Sequence, residues 1–426
     1  MHYRFTRPVG RLVTSLLFAG LLAIPLSACD SNGADDEITI RGRVSDDASS
    51  GAVLGPIEGA TVVAAEVATG GEVTTLAGGQ ATTDADGAYE MSVEGTTRAV
   101  VLTATSGSFT TRALIEAGGA AAGTVSAPTM TTETDAEVDV FLAAQALPSA
   151  ATVADVAFYV TRDLAGRISG GAESAEDVAV AIDAALRTEA AYADERGSSG
   201  AVDDAAEERE DAYGSYRVAV FAATTTTGGA AARVAFEEAY SRGFDDAGAD
   251  VDVQAGAALA ASVAAARFDA DLTSSAAFDL QRQARLHAAL AGAFAVEDHF
   301  RAAGVTGRLT ALANAREALH VDIAGALTAG AIAGAEDAYR ALIRAELATE
   351  TGLSAGDLAD AEAATASART ALGLTVAAAT TPALVAEAVA TFHAAVRTAV
   401  AASLGAGEDL AVDVIVLTSL SLAAGA

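Results

Sequence analysis

Cysteine is nearly absent. Cys29 is the single one in 426 residues, so no disulfide within the chain can staple the fold. Lysine is missing altogether: all 25 basic residues are arginine, set against 57 acidic ones for a formal net charge of −32. No basic patch exists to neutralise phosphates, and nucleic acid is therefore not an expected partner. The acids are spread along the chain rather than clustered. They read as a solvated surface suited to high salt, where screening relieves self-repulsion, rather than as a cation-binding patch. Tryptophan is absent and only five histidines occur. His287, His299 and His393 stand in no zinc-ligand spacing. There is no P-loop, no Gly-x-Gly-x-x-Gly, and no nucleophile elbow to seat a Ser-His-Asp site. Proline is scarce at six residues, with none from 149 to 381. That stretch is free to run as helix.

What the chain does have begins with its N-terminus. Arg4, Arg7 and Arg11 precede an apolar run from Leu12 to Leu26. The run is too short for a membrane span and has the charge-then-apolar plan of a secretory signal. It ends in Leu26-Ser27-Ala28-Cys29, which resembles a bacterial lipobox. The resemblance implies cleavage before Cys29 and a lipid on the Cys29 sulfur, hence an exported, membrane-anchored lipoprotein on the periplasmic or cell-surface side. Residues 29–37 then read as an acidic tether. Asp30 directly after the cysteine resembles an inner-membrane retention signal, whereas the acidic stretch that follows resembles a surface-export signal. The leaflet stays open between them.

From 38 to 144 the pattern is that of strands. Ile38 to Val44 alternates apolar and polar residues, and Thr61–Val67, Ala88–Val93, Ala99–Thr105 and Glu137–Leu142 do so more loosely. About seven short strands fit a small antiparallel sandwich. Three segments follow one another in order: Gly42-Arg43-Val44-Ser45-Asp46, Gly55-Pro56-Ile57-Glu58-Gly59-Ala60-Thr61-Val62, and Thr83-Asp84-Ala85-Asp86-Gly87-Ala88-Tyr89. As an ordered set they resemble the carboxypeptidase regulatory-like domain. The resemblance covers about a quarter of the chain. It implies a transthyretin-like β-sandwich without catalytic residues of its own, serving as spacer or interaction module. Asp84 to Gly87 should form a tight turn with Gly87 at positive φ, not the start of a calcium loop. Tyr89 should point into the core.

Residues 149–426 are alanine-rich and helix-favouring. Ser174 with Asp177, Ser354 with Asp357, and Thr381 before Pro382 mark helix starts. Breaks are expected near Gly197–Gly200, Thr224–Gly229, Gly304, Gly352 and Gly405. Eight to ten helices in an all-α bundle are expected, joined to the β part around Pro148 and folding by themselves. The apolar stretch from Leu410 to Ala424 is short for a span and is expected to be a buried element.

The helical part repeats Glu-x-x-aromatic: Glu189/Tyr192, Glu210/Tyr213, Glu237/Tyr240, Glu297/Phe300 and Glu336/Tyr339. One turn separates each pair. The aromatics are expected to anchor helices at the core edge, with the acids beside them in water. Glu317-x-x-His320 is a single copy of a motif that di-iron bundles need twice. Glu317 and His320 are thus the only metal candidates, and neither a metal nor another cofactor is expected. The sequence therefore describes a lipid-anchored envelope protein, sandwich then bundle, with a binding or structural role. Its partners would be the membrane, through Cys29, and an envelope protein or glycan. The alternative is an enzyme or metal-binding protein whose site lies in the bundle.

Overall fold

The computed structural model describes residues 37–46, 55–116, 123–223, 226–405 and 407–422. The signal segment, Cys29 and all of the tether except Glu37 lie outside the described residues. The described residues belong to one compact unit.

The N-terminal part is built of β1 (Glu37–Arg43), β2 (Ser45–Asp46), β3 (Gly55–Pro56), β4 (Thr61–Val67), β5 (Val73–Thr82), β6 (Ala88–Glu94), β7 (Ala99–Ser106), β8 (Phe109–Glu116) and β9 (Thr124–Ser126). They form a three-stranded sheet in the order β6-β1-β9, a four-stranded sheet in the order β5-β4-β7-β8, and the short pair β2-β3. Ile38, Ile40, Tyr89 and Met91 of the first sheet share one apolar cluster with Val62, Leu102 and Ile115 of the second. All pairings within the two large sheets are antiparallel except β1 with β9, which run parallel. Tyr89 is buried as expected. Its ring lies so close to Gly42 that a Cβ there would come within 2.3 Å of the phenol oxygen, so a side chain at 42 would displace it. Gly87 has φ +68°, and Asp84 Oδ1 accepts hydrogen bonds from the amides of Asp86 and Ala88 at 2.9 Å each. The turn passes the chain from β5 in one sheet to β6 in the other, rather than closing a hairpin.

One expected strand is a helix. Glu137–Leu142 lies inside α1 (Thr132–Ala144). Its alternation of Val138 and Val140 with acids is outweighed by a capping box, in which Thr131 caps the Thr134 amide and Thr134 returns to the Thr131 amide. Tertiary contacts act in the same direction. Arg112 on β8 binds Asp135 at 2.7 Å and Asp139 at 2.9 Å, two acids one helical turn apart on a single face. Glu137, two residues from each of these acids and so on the opposite side of α1, is buried, and burial pushes its carboxyl up to about 8.

Among the described residues fourteen α-helices follow: α2 (Val153–Tyr159), α3 (Arg162–Ser169), α4 (Ala175–Glu195), α5 (Gly200–Ala222), α6 (Thr226–Ser241), α7 (Gly243–Asp246), α8 (Val251–Arg267), α9 (Ser274–Ala302), α10 (Leu309–Ala324), α11 (Ala329–Thr351), α12 (Ala355–Ala363), α13 (Ala366–Ala378), α14 (Pro382–Leu404) and α15 (Asp409–Ser421). They outnumber the eight to ten expected. Ser174, Ser354 and Thr381 are N-caps as read, each accepting from a backbone amide three residues on. Helix α8 is buried from Val253 to Ala265, and its alanines let α4 and α9 approach closely. At Gly256 the Tyr192 ring fills the space where a Cβ would sit, 2.1 Å from the phenol oxygen. Helix α14 is long and apolar enough to cross a membrane by length and composition. Its Val385, Val389, Phe392 and Val396 are nonetheless buried in the protein. Helix α15 is likewise a core element.

The sheet and the helices share a core. Strand side chains alternate faces. Val67, Val101 and Leu114 therefore point away from the three-stranded sheet, into a cluster with Phe141, Phe158, Ile182, Tyr213 and Leu280. Polar ties reinforce this contact: Tyr213 donates to the Leu114 carbonyl at 3.2 Å, and Arg217 to the Ser126 carbonyl at 3.1 Å.

Candidate functional site

The repeated Glu-x-x-aromatic motif has a different meaning from the one expected. Its aromatics are core residues: Tyr192, Tyr213, Tyr240, Phe300 and Tyr339 are all buried. Four of its acids, Glu189, Glu237, Glu297 and Glu336, are buried with them instead of standing in water. A lone buried carboxylate would be costly, and each of these four has an arginine. Glu189 on α4 takes both Nη atoms of Arg209 on α5, at 2.6 and 3.0 Å. Glu237 takes Arg233 one turn earlier at 2.8 Å, Glu297 on α9 takes Arg316 on α10 at 2.8 Å, and Glu336 on α11 takes Arg285 on α9 at 2.6 Å. Glu210, half-buried, instead accepts from the Ala154 amide at the start of α2.

The densest group lies where α2, α4, α5, α6, α9 and α10 meet. Arg209 stacks over Tyr240 at 4.4 Å. Tyr240 donates to Asp155 at 2.7 Å, and Asp155 in turn caps α2 through Thr152. His287 bridges Ser241 and Glu189: its Nε2 lies 3.2 Å from Glu189 Oε1 and its Nδ1 3.2 Å from Ser241 Oγ. A carboxylate only accepts, so Nε2 carries the proton and Nδ1 accepts from the serine hydroxyl. Next to this, Glu237 accepts from Arg233, from Gln283 at 3.1 Å and from His320 Nε2 at 2.8 Å. His320 also has Glu238 3.7 Å from its Nδ1.

Charge states follow from these contacts. Burial alone would raise Glu189, but Arg209 and His287 outweigh it and hold the carboxyl at about 2. Burial is outweighed in the same way at Glu237, held at about 2 by Arg233 and His320. His320 is opposed by burial, yet Glu237 and Glu238 raise it to about 9. His287 is pushed down by burial more than Glu189 lifts it. On α14, burial lowers His393 to about 4, against the pull of Asp252; Tyr192 is hydrogen-bonded to its Nδ1 at 3.0 Å.

Ser241, His287 and Glu189 stand in the order nucleophile, base and orienting acid. The surroundings do not suit that chemistry. Ser241 is 1% exposed and His287 1% exposed, and Glu189 is already held by both Nη atoms of Arg209. Among the described residues, surface cavities lie elsewhere: an apolar one of about 310 Å³ between α13 and α14, a second of about 300 Å³ among α11, α12 and α13, and an open groove of about 1030 Å³ along α5. None is lined by Ser241, His287, Glu189, Glu237 or His320. The network can fix charge and helix register, but a substrate has no path to it through these cavities.

Glu317 and His320 do not form a chelating pair. Glu317 is exposed while His320 is buried on Glu237. Among the described residues, no group of three or more His, Cys, Asp or Glu side chains is placed to hold a metal ion. His299 bridges instead to Asp413 on α15, at 3.4 Å. The arginine partners escaped the sequence reading. Arg209 sits inside the acid-rich Glu207-Glu208-Arg209-Glu210-Asp211, where a lone cation is the available signal, and Asp155 was legible as the last residue of a Thr-x-x-Asp capping box. Comparison with protein-family models, with curated proteins and with solved structures found no match.

Proposed function

We propose that this chain is a lipid-anchored protein of the bacterial cell envelope with a binding or structural role. Cys29 is its attachment point, and its partner is an envelope protein or glycan. The β part is read as a transthyretin-like sandwich of the carboxypeptidase regulatory-like kind, acting as spacer or interaction module. The Gly42–Tyr89 contact, the Asp84–Gly87 turn and the two sheets around one cluster support that reading. The parallel β1–β9 pair departs from the simple antiparallel plan. The observation that carries the non-catalytic role is the closure of the ionisable network. The carboxylates and histidines that could do chemistry are spent on buried arginines, tyrosines and one another.

Anchoring is tested by the mass of the protein extracted from membranes. Each buried lipid methylene contributes about 0.8 kcal/mol, so stable attachment takes more than one chain. The expected mass is that of a chain beginning at Cys29 plus diacylglyceryl and acyl groups, and Cys29→Ser should leave the leader uncut. An unmodified wild-type chain would remove the anchor.

The rival reading, an enzyme in the bundle, has one observation in its favour: the Ser241–His287–Glu189 order. A fluorophosphonate probe distinguishes the two. The folded protein is expected to remain unlabelled. Labelling at Ser241 that disappears in His287→Ala would make the network an active site.

A further inference from the structure

The second cavity, of about 300 Å³, collects positive charge in a chain of net charge −32. Arg340 and Arg344 on α11 and Arg369 on α13 all line it, with Asp337 and Glu362 as the acids and three alanines as the rest. Three guanidiniums thus face two carboxylates. Arg340 bonds Asp337 at 2.6 Å and the Leu422 carbonyl at 3.0 Å. The Asp337 side chain is 74% exposed, so water screens that pair. Arg344 lies 3.4 Å from Glu362. Arg369 has no such partner: among the described residues it pairs with no carboxylate, and its Nε is buried without a hydrogen bond. We propose that this cavity binds a compact oxyanion, a phosphate or carboxylate group, held by the fork of Arg369 with Arg340 and Arg344 beside it.

The chemistry favours an anion over a purely structural cluster. Arginines that only join elements here are placed against an acid, as Arg209, Arg285 and Arg316 are, or against a backbone carbonyl, as Arg217 and Arg267 are; the Arg369 side chain has neither among the described residues. Burial and the like charge of Arg340 instead push the Arg369 guanidinium down from its ordinary value. A planar guanidinium presents two parallel N–H donors that match two oxygens of a phosphate or carboxylate. The negative exterior opposes anions at long range. An anion entering here therefore gains only at close quarters, as expected of a selective pocket rather than a general anion sponge. This site stands apart from the anchoring reading: its success or failure leaves the role of Cys29 where it was.

The test uses the full-length protein at constant ionic strength, because an acidic chain responds to salt in general. Calorimetric titration with inorganic phosphate, and co-sedimentation with phosphatidylglycerol vesicles against phosphatidylcholine vesicles, separate a soluble anion from a lipid head group. Saturable phosphate binding that weakens at least tenfold in Arg369→Gln is expected for a soluble ligand. Phosphatidylglycerol binding lost in the same variant is expected for a lipid head group. Arg369→Lys, which keeps the charge and loses the fork, should fall between wild type and Arg369→Gln, and Arg344→Gln gives a second variant if Arg369→Gln unfolds. Absence of saturable binding to either probe, or binding unchanged in both glutamine variants, overturns the proposal.

Discussion

Glu189→Gln is expected to destabilise the fold by about 3–5 kcal/mol, the size associated with breaking a buried ion pair from one side. The substitution keeps the shape of the side chain and removes its charge. The Arg209 guanidinium, 5% exposed, would then face only Asp155, 3.9 Å away. His287 would lose its charged acceptor at the same time. Unfolding in urea reports the change as a lower midpoint. The double variant Glu189→Leu with Arg209→Met removes both charges and should recover part of the loss, since an apolar pair of similar volume leaves no buried charge behind. If Glu189→Gln were as stable as wild type, the pair would not hold these helices together.

A fragment beginning at Ser149 is expected to lose its fixed tertiary structure. Removing the sheets and α1 strips Val67, Val101, Leu114, Val138, Val140 and Phe141 from a cluster that also holds Phe158, Tyr213 and Leu280. Full burial of each such side chain contributes about 1.5–3 kcal/mol, an upper estimate against an extended chain. Several of them together approach the whole net stability of a typical domain, about 5–15 kcal/mol. The bonds from Tyr213 and Arg217 to strand carbonyls go as well. The fragment should keep helical far-ultraviolet dichroism and lose a cooperative melt. A sharp melt near that of the full chain would show that residues 149–426 are independent after all.

Local signals were legible wherever one residue decides the backbone. Ser174, Ser354 and Thr381 cap helices as read, and Gly87 and Gly352 take the positive φ their positions require. Strands β1 and β6 follow their alternation closely, whereas β4 and β7 lie where they were read but bury adjacent residues on both faces. The failure at Glu137–Leu142 has a physical cause. So short a run fits both periods, and the capping box at Thr131 together with Arg112, 23 residues before Asp135, selects the helix. Strand β5, with Gly78 and Gly79 and mostly exposed side chains, gave no apolar alternation to read. The candidate site was half legible. Its glutamates and aromatics recur at a visible spacing, and Glu237 meets Arg233 one turn away on its own helix, but burial of Glu189, Glu297 and Glu336 depends on arginines from other helices. Glu189 meets Arg209, and Glu336 meets Arg285 from 51 residues upstream; no local pattern encodes such a pairing.

The network also sets a pH window. His320, raised to about 9, adds stability that is complete below about 6.5 and lost as the pH rises through 9. His287 and His393, both lowered, add stability above about 6.5 that is lost as the pH falls. These opposite signs make the state of the histidine rings the most direct measure of whether the network is closed. Nitrogen-detected histidine spectra of the full chain between pH 5 and 9 are the measurement. The expected result is a doubly protonated His320 at pH 7.5, beside a neutral His287 that carries its proton on Nε2, with neither ring titrating near 6.5. Titration of both rings near 6.5, as for histidines in open water, would contradict a closed network and return these residues to candidacy as an accessible site.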